Sequence, residues 1–207
     1  MLVELYLWSR GTNALSLDDL KNAVRTIGNK YIDREQRARR LFIEERAVSM
    51  HFEREREFAI RTEISEYFQI SYSAVAFTGS AQLGFSIHQD RLFEPGVSDL
   101  DAACISADLF QHAWMDIVEI TRSFTDFTPF GHSNRDAIEL FKDRILRRGM
   151  IRIDAMPLSP MSRSWAAFEG AISRKHTSIF KNISIAVYMN EYAFCWKQDS
   201  ALAKLIR

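Results

Sequence analysis

The sequence predicts an α+β fold in which a helical segment over residues 1–72 packs on a sheet-bearing core over residues 73–207. Two features of the chain carry that prediction. Residues 12–78 contain a single glycine, Gly28, and all four prolines lie beyond residue 94, so the first third lacks helix breakers. From Ser73 onward, short apolar runs alternate with amphipathic stretches, the pattern of strands and helices taken in turn. The composition is that of a globular chain: 207 residues, 47% hydrophobic and 26% charged, which is ample for a core and excludes a disordered or collagen-like chain.

Taken in order, Ser16 and Asp18 are candidate caps for a helix running to about Asn29, with Leu20, Val24 and Ile27 on its apolar face. A second, long helix is predicted to start near Asp33. Its stripe is Leu41, Val48, Phe52 and Ala59, followed by Ile60, Ile64 and Phe68. The mixed charges at 53–57 read as a solvated helix face rather than a nucleic-acid surface. Residues 74–77 read as a strand entering a turn at Thr78-Gly79-Ser80, and 98–105 as a second strand. Helix is predicted over 107–124, with Leu109, Ala113, Ile117 and Ile120 in register, and over 135–147, a basic stretch. Residues 149–156 read as a third strand stopped by Pro157, and 162–181 as helix. Residues 183–189 fit strand or helix, and 191–206 read as helix.

The longest apolar runs, such as 185–189, fall far short of the ~20 residues of a membrane-spanning helix. Glu4 interrupts the apolar start and no small-residue cleavage site follows, so no secretory leader is expected. Cys104 and Cys195 cannot build a disulfide framework, and the five histidines show no ligand spacing. These features predict a cytoplasmic protein without a structural metal and without membrane insertion. The zero net charge hides an asymmetry: residues 71–134 carry 2 basic and 8 acidic side chains, and residues 135–207 carry 13 basic and 7 acidic. That asymmetry gains meaning if the middle binds cations and the tail binds phosphates.

Gly79-Ser80, Asp99-Leu100-Asp101 and Asp154 are the residues with chemical content. In a strand, residues two apart share a face, so Asp99 and Asp101 project together while Leu100 enters the core. Two adjacent carboxylates repel unless a cation lies between them, which makes the pair a candidate magnesium site. Asp154 repeats the alternation on a strand expected to lie beside the pair. Three convergent carboxylates suit two-metal phosphoryl transfer. A glycine after a strand lets backbone N–H groups approach a phosphate, and Ser80 adds a hydroxyl.

GSAQLG at 79–84, SDLD at 98–101 and RIDAMP at 152–157 resemble the nucleotidyltransferase superfamily typified by DNA polymerase beta, over about two fifths of the chain. The resemblance implies a small mixed sheet with helices on one side and two Mg2+ (or Mn2+) ions held by Asp99, Asp101 and Asp154. It also implies a triphosphate held by Gly79 and Ser80, and transfer of a nucleoside monophosphate from an NTP or dNTP to a hydroxyl. The 18 residues between Ser80 and Asp99 depart from the usual spacing, so an insertion around 88–96 must loop out. In larger relatives a lysine on a later helix reaches the triphosphate; Lys175 stands in that place. Arg144, Arg147 and Arg148 are further candidates for phosphate contact. Trp165, Phe168, Tyr188 and Tyr192 are candidates for stacking on a base.

Size and resemblance together point to the stand-alone bacterial members that act in anti-phage defence. These include cyclic-oligonucleotide synthases and the smaller Hailong-type oligomer synthases. Such an enzyme would make an oligonucleotide or nucleotide signal, with its own product and an effector protein encoded alongside as partners, in a possible homo-oligomer. Two alternatives stand beside it. One is an adenylyltransferase that modifies a protein or RNA partner, like antitoxins of HEPN-type toxins. The other is a non-catalytic interaction module that keeps the fold.

Overall fold

The computed structural model describes residues 16–131 and 135–206. They form six strands: β1 (Val75–Thr78), β2 (Phe85–Ser86), β3 (Arg91–Leu92), β4 (Leu100–Ile105), β5 (Met150–Arg152) and β6 (Ile183–Tyr188). Eight α-helices accompany them: α1 (Leu17–Lys30), α2 (Arg34–Arg39), α3 (Arg54–Phe68), α4 (Gly79–Leu83), α5 (Ala107–Ile120), α6 (Arg135–Phe141), α7 (Pro160–Lys175) and α8 (Glu191–Ile206). The architecture is α+β around a four-stranded mixed sheet of order β1-β4-β6-β5. In it β4 runs parallel to β6 and antiparallel to β1, and β5 runs antiparallel to β6. Strands β2 and β3 form a separate hairpin, the excursion expected between Ser80 and Asp99.

Period-2 alternation gives the sheet two apolar faces. On one, Val75, Phe77, Leu100, Ala102, Cys104, Ile183, Ile185 and Val187 pack with residues of α3, α5 and α7. On the other, Ala76, Ala103, Ala186, Met150 and Tyr188 pack with Leu20, Val24 and Ile27 of α1 and with Phe194 and Leu202 of α8. Helices therefore cover both faces, not one. The second face is apolar only along its middle; toward one end it carries Asp99, Asp101, Asn182 and Ser184, and there the helices leave it open. Both cysteines are free and buried, Cys104 near the end of β4 and Cys195 on α8.

The first helix matches its prediction closely. Ser16 caps α1 in a reciprocal capping box with Asp19, not with Asp18. The long helix expected from Asp33 does not form as one piece. Helix α2 widens into a π-helical turn over Arg40–Glu44, a single 3-10 turn covers Val48–Met50, and α3 starts at Arg54. The break is held from a distance. Gln82, 1% exposed on α4, donates its amide to the carbonyls of Leu41 (2.9 Å) and Glu45 (2.8 Å), which satisfies carbonyls that a continuing helix would have used. Arg46 and Glu57 then pair across the gap at 2.6 Å. Of the expected stripe, Leu41 and Val48 are buried and Phe52 is exposed.

The third strand also stops short. Only Met150–Arg152 pair with β6, and the chain then turns through a 3-10 turn at Ile153–Ala155. The ambiguous stretch 183–189 proves to be strand β6, and it lies between β4 and β5.

Candidate functional site

The open end of the second sheet face is a cleft of about 420 Å³, within the range of small-molecule sites. Gly79 and Ser80 line it at the β1–α4 turn, and Asp99 and Asp101 line it at the start of β4. Gly79 has φ +67°, and a Cβ there would stand 2.5 Å from Asp101 Oδ2. Glycine is thus required twice, by the left-handed backbone and by the close approach of the carboxylate. The Thr78 hydroxyl donates to the Asp101 carbonyl at 3.3 Å, tying the turn to β4.

Asp99 and Asp101 are held from the neighbouring strand. Asn182 Nδ2 donates to Asp99 Oδ1 at 3.1 Å, and the Ser184 hydroxyl donates to Asp101 Oδ1 at 2.8 Å. Both donors are neutral, so neither hydrogen bond brings an opposite charge to the pair.

The same cleft carries a set of cations. Arg91, Arg144, Arg152, Lys181 and Lys197 all line the cleft. Arg152 reaches it from the end of β5 and Lys197 from α8. Lys197 carries no hydrogen bond or ion pair among the described residues, and its pKa is lowered. Burial is the main cause; the charges of Arg148, Arg144 and Arg152 add to it, while Asp101 opposes it. A half-buried lysine without an ion-pair partner, close to three arginines, is chemically able to accept an anion. Sequence reasoning missed Lys197 and Lys181. The signal available was weak: Lys197 is a lone cation among the apolar residues Phe194, Cys195 and Trp196.

Two expected residues lie elsewhere. Asp154 falls in the 3-10 turn after β5, outside the cleft lining, where Arg144 (3.3 Å) and Arg152 (3.5 Å) neutralise it. The physical reason is the strand order. Strand β6 separates β5 from β4, so the place beside Asp101 belongs to Ser184. Lys175 ends α7 and pairs with Glu63 of α3 at 2.6 Å, away from the cleft. Arg147 and Arg148 pair with Asp143 at 3.1 and 2.7 Å.

Of the aromatic candidates, Trp165 is core and Phe168 stacks on Tyr67. Tyr192 lies beside Trp196 on the surface, and Tyr188 alone lines the cleft, with its ring packed edge-on against Phe194. His88 stands at the cleft rim on the β2–β3 hairpin, 3.3 Å from Lys204; His132 lies outside the described residues.

Among the described residues no group of three or more His, Cys, Asp or Glu side chains could hold a metal ion. The pair Asp99 and Asp101 nevertheless fits the way Mg2+ is commonly bound with nucleotides, through one or two carboxylates completed by water and substrate phosphates. No described helix is long and apolar enough to cross a membrane. Comparison with protein families, curated proteins and solved structures gives no significant match, so a functional reading rests on the cleft's own residues.

Proposed function

We propose that the chain is a nucleotidyltransferase of the polymerase beta-like type, which binds a nucleoside triphosphate in this cleft and transfers its nucleotidyl group to a hydroxyl. The observation that carries the reading is the convergence, on one cleft, of the Gly79-Ser80 turn, the pair Asp99 and Asp101, and cations from β5, the turn before β6 and α8. A divalent ion, Mg2+ or Mn2+, held by Asp99 and Asp101 supplies positive charge to the phosphate oxygens. The acceptor oxygen forms a bond to the α-phosphorus while the bond to pyrophosphate breaks. The chain's own residues do the rest. Gly79 and Ser80 seat the phosphates, and the proton of the acceptor hydroxyl passes to water in the open cleft. Lys181 and Lys197 meet the charge that develops on the leaving pyrophosphate. The acceptor and product belong to the same proposal: a free hydroxyl end, extended into an oligonucleotide or nucleotide signal that an effector reads.

One observation favours a second reading. With Asp154 outside the cleft, the site can bind a nucleotide without turning it over, as a sensing module would. One experiment separates the two. The chain is incubated with all eight NTPs and dNTPs plus Mg2+ or Mn2+, pyrophosphate release is measured, and products are identified by mass spectrometry. Turnover that Asp101→Asn abolishes supports the transferase. Saturable nucleotide binding without pyrophosphate supports the sensor, and no binding at all overturns both.

A further inference from the structure

Strands β4 and β6 are parallel and in register, with Asp101 opposite Ser184. The ladder continues outward through Leu100 N–H to Asn182 O (2.9 Å) and Lys181 N–H to Ser98 O (3.0 Å), which sets Asn182 beside Asp99. Residues 182 and 184 are therefore on the same face as 99 and 101, each beside its own carboxylate. The hydrogen bonds follow this pairing one for one. Asn182 takes Oδ1 of Asp99 and Ser184 takes Oδ1 of Asp101. Among the described residues neither Oδ2 atom has a hydrogen-bond or ion-pair partner. Asp101 Oδ2 instead faces the space that the missing side chain of Gly79 leaves open.

A carboxylate with one oxygen engaged by a neutral donor has a fixed rotamer, an undiminished charge and a free oxygen. We propose that Asn182 and Ser184 are the positioning residues of a cation site, each fixing one aspartate so that the Oδ2 atoms of Asp99 and Asp101 are left to a single divalent ion. Ser184 occupies, on the strand next to Asp101, the place where a third acidic ligand would complete a second ion site. The site is built for one ion that the nucleotide's phosphates complete. This inference rests on the transferase reading of the cleft and deepens it.

The test counts Mn2+ on the full chain, with Mn2+ alone as the probe and free Mn2+ read by electron paramagnetic resonance. Wild type binds one ion per chain at the cleft, and Asp99→Asn or Asp101→Asn removes it. Asn182→Ala and Ser184→Ala each weaken binding about tenfold, the usual effect of removing a partner that orients a ligand. Ser184→Thr, which keeps the hydroxyl, restores it. Ser184→Asp lowers the Tm without metal, through repulsion with Asp101, and Mn2+ raises that Tm more than it raises the wild-type value. Asn182 is exposed, so its variant remains readable if Ser184→Ala does not fold. Folded Asn182→Ala and Ser184→Ala proteins with wild-type Mn2+ affinity would overturn the inference and leave the cleft reading standing. Mn2+ binding indifferent to both Asp99→Asn and Asp101→Asn would overturn the metal site itself.

Discussion

Asp101 lines the cleft and Asp154 lies outside it; they are the same residue type, yet their surroundings divide them. Asp101 accepts from a serine hydroxyl; Asp154 lies between two guanidinium groups. Lys197 and Lys175 repeat the contrast, the first without a partner inside the cleft, the second closed by Glu63 on an exposed surface. A charge already neutralised by its neighbours has little left to offer a ligand. A charge held by neutral groups, or by none, keeps its whole field for one. What distinguishes the candidate working residues is therefore the charge of their partners, which the residue types do not reveal.

The largest effect expected from that contrast is between the aspartates. Asp101→Asn should reduce nucleotidyl transfer by about 100-fold or more, the scale of losing a preorganised electrostatic group. Asp154→Asn should change it by less than about fivefold, since an exposed ion pair is worth about 0–1 kcal/mol. Pyrophosphate release measures both, and equal damage from the two would break the comparison.

Gly79→Ala comes next. It combines a strained left-handed φ, costing about 1–2 kcal/mol, with a Cβ pressed on Asp101 Oδ2. Turnover should fall about 10- to 100-fold through the displaced carboxylate, with a lower Tm. Full activity would show that the turn and the carboxylate are independent.

Lys197→Met should weaken nucleotide binding about tenfold in a fluorescence titration, and Lys175→Met by less than about twofold. The stability effects should run the other way. The pKa of Lys197 is lowered chiefly by burial, so its charged form opposes folding, and that penalty fades as pH rises through the folded value toward the unfolded one near 10.5. Lys197→Met should therefore have a higher Tm than wild type at neutral pH, with the gap narrowing as pH rises toward 10. A destabilised Lys197→Met would mean that the lysine has a structural partner.

The smallest effect concerns the Lys175 region. His176, with Nε2 3.8 Å from Glu63, has a pKa lowered mainly by burial; Arg56 and Lys175 add to this, and Glu63 opposes it. The unfolded chain then binds the proton more readily, so stability falls as pH drops below about 6.5. His176→Gln should lose less Tm between pH 7.5 and 5.5 than wild type. An identical loss would assign the acid sensitivity to other groups.

The sequence shows local features of this molecule and hides those that depend on distant partners. The Gly79-Ser80 turn and the Asp99 and Asp101 pair are legible because each is made by a few consecutive residues on one strand or turn. The position of β6 between β4 and β5 is not legible, since nothing in 183–189 says which strand it joins; this is why Asp154 was expected beside the pair and Ser184 was not. The break after Glu44 is hidden for the same reason. No proline or glycine marks it, and its stabilising donor, Gln82, lies far along the chain. Lys175 suited its expected role by position in the chain, but Glu63, on a helix more than a hundred residues earlier, removes it from the cleft.

The two buried thiols give the chain a pair of internal clocks. Burial pushes Cys104 far above the ordinary thiol range and Cys195, with help from Glu191, to about 11, so alkylating reagents meet almost no thiolate in the folded state. Cys104 reacts only when the sheet itself opens, because β4 lies between β1 and β6 with helices on both faces. Cys195 needs only that α8 lift from the sheet, and α8 is also the helix that carries Lys197. The difference between the two labelling rates therefore reads, without any introduced probe, how often Lys197 and its helix detach from the carboxylate floor, and a bound nucleotide spanning the two should slow the Cys195 clock while leaving the Cys104 clock less changed.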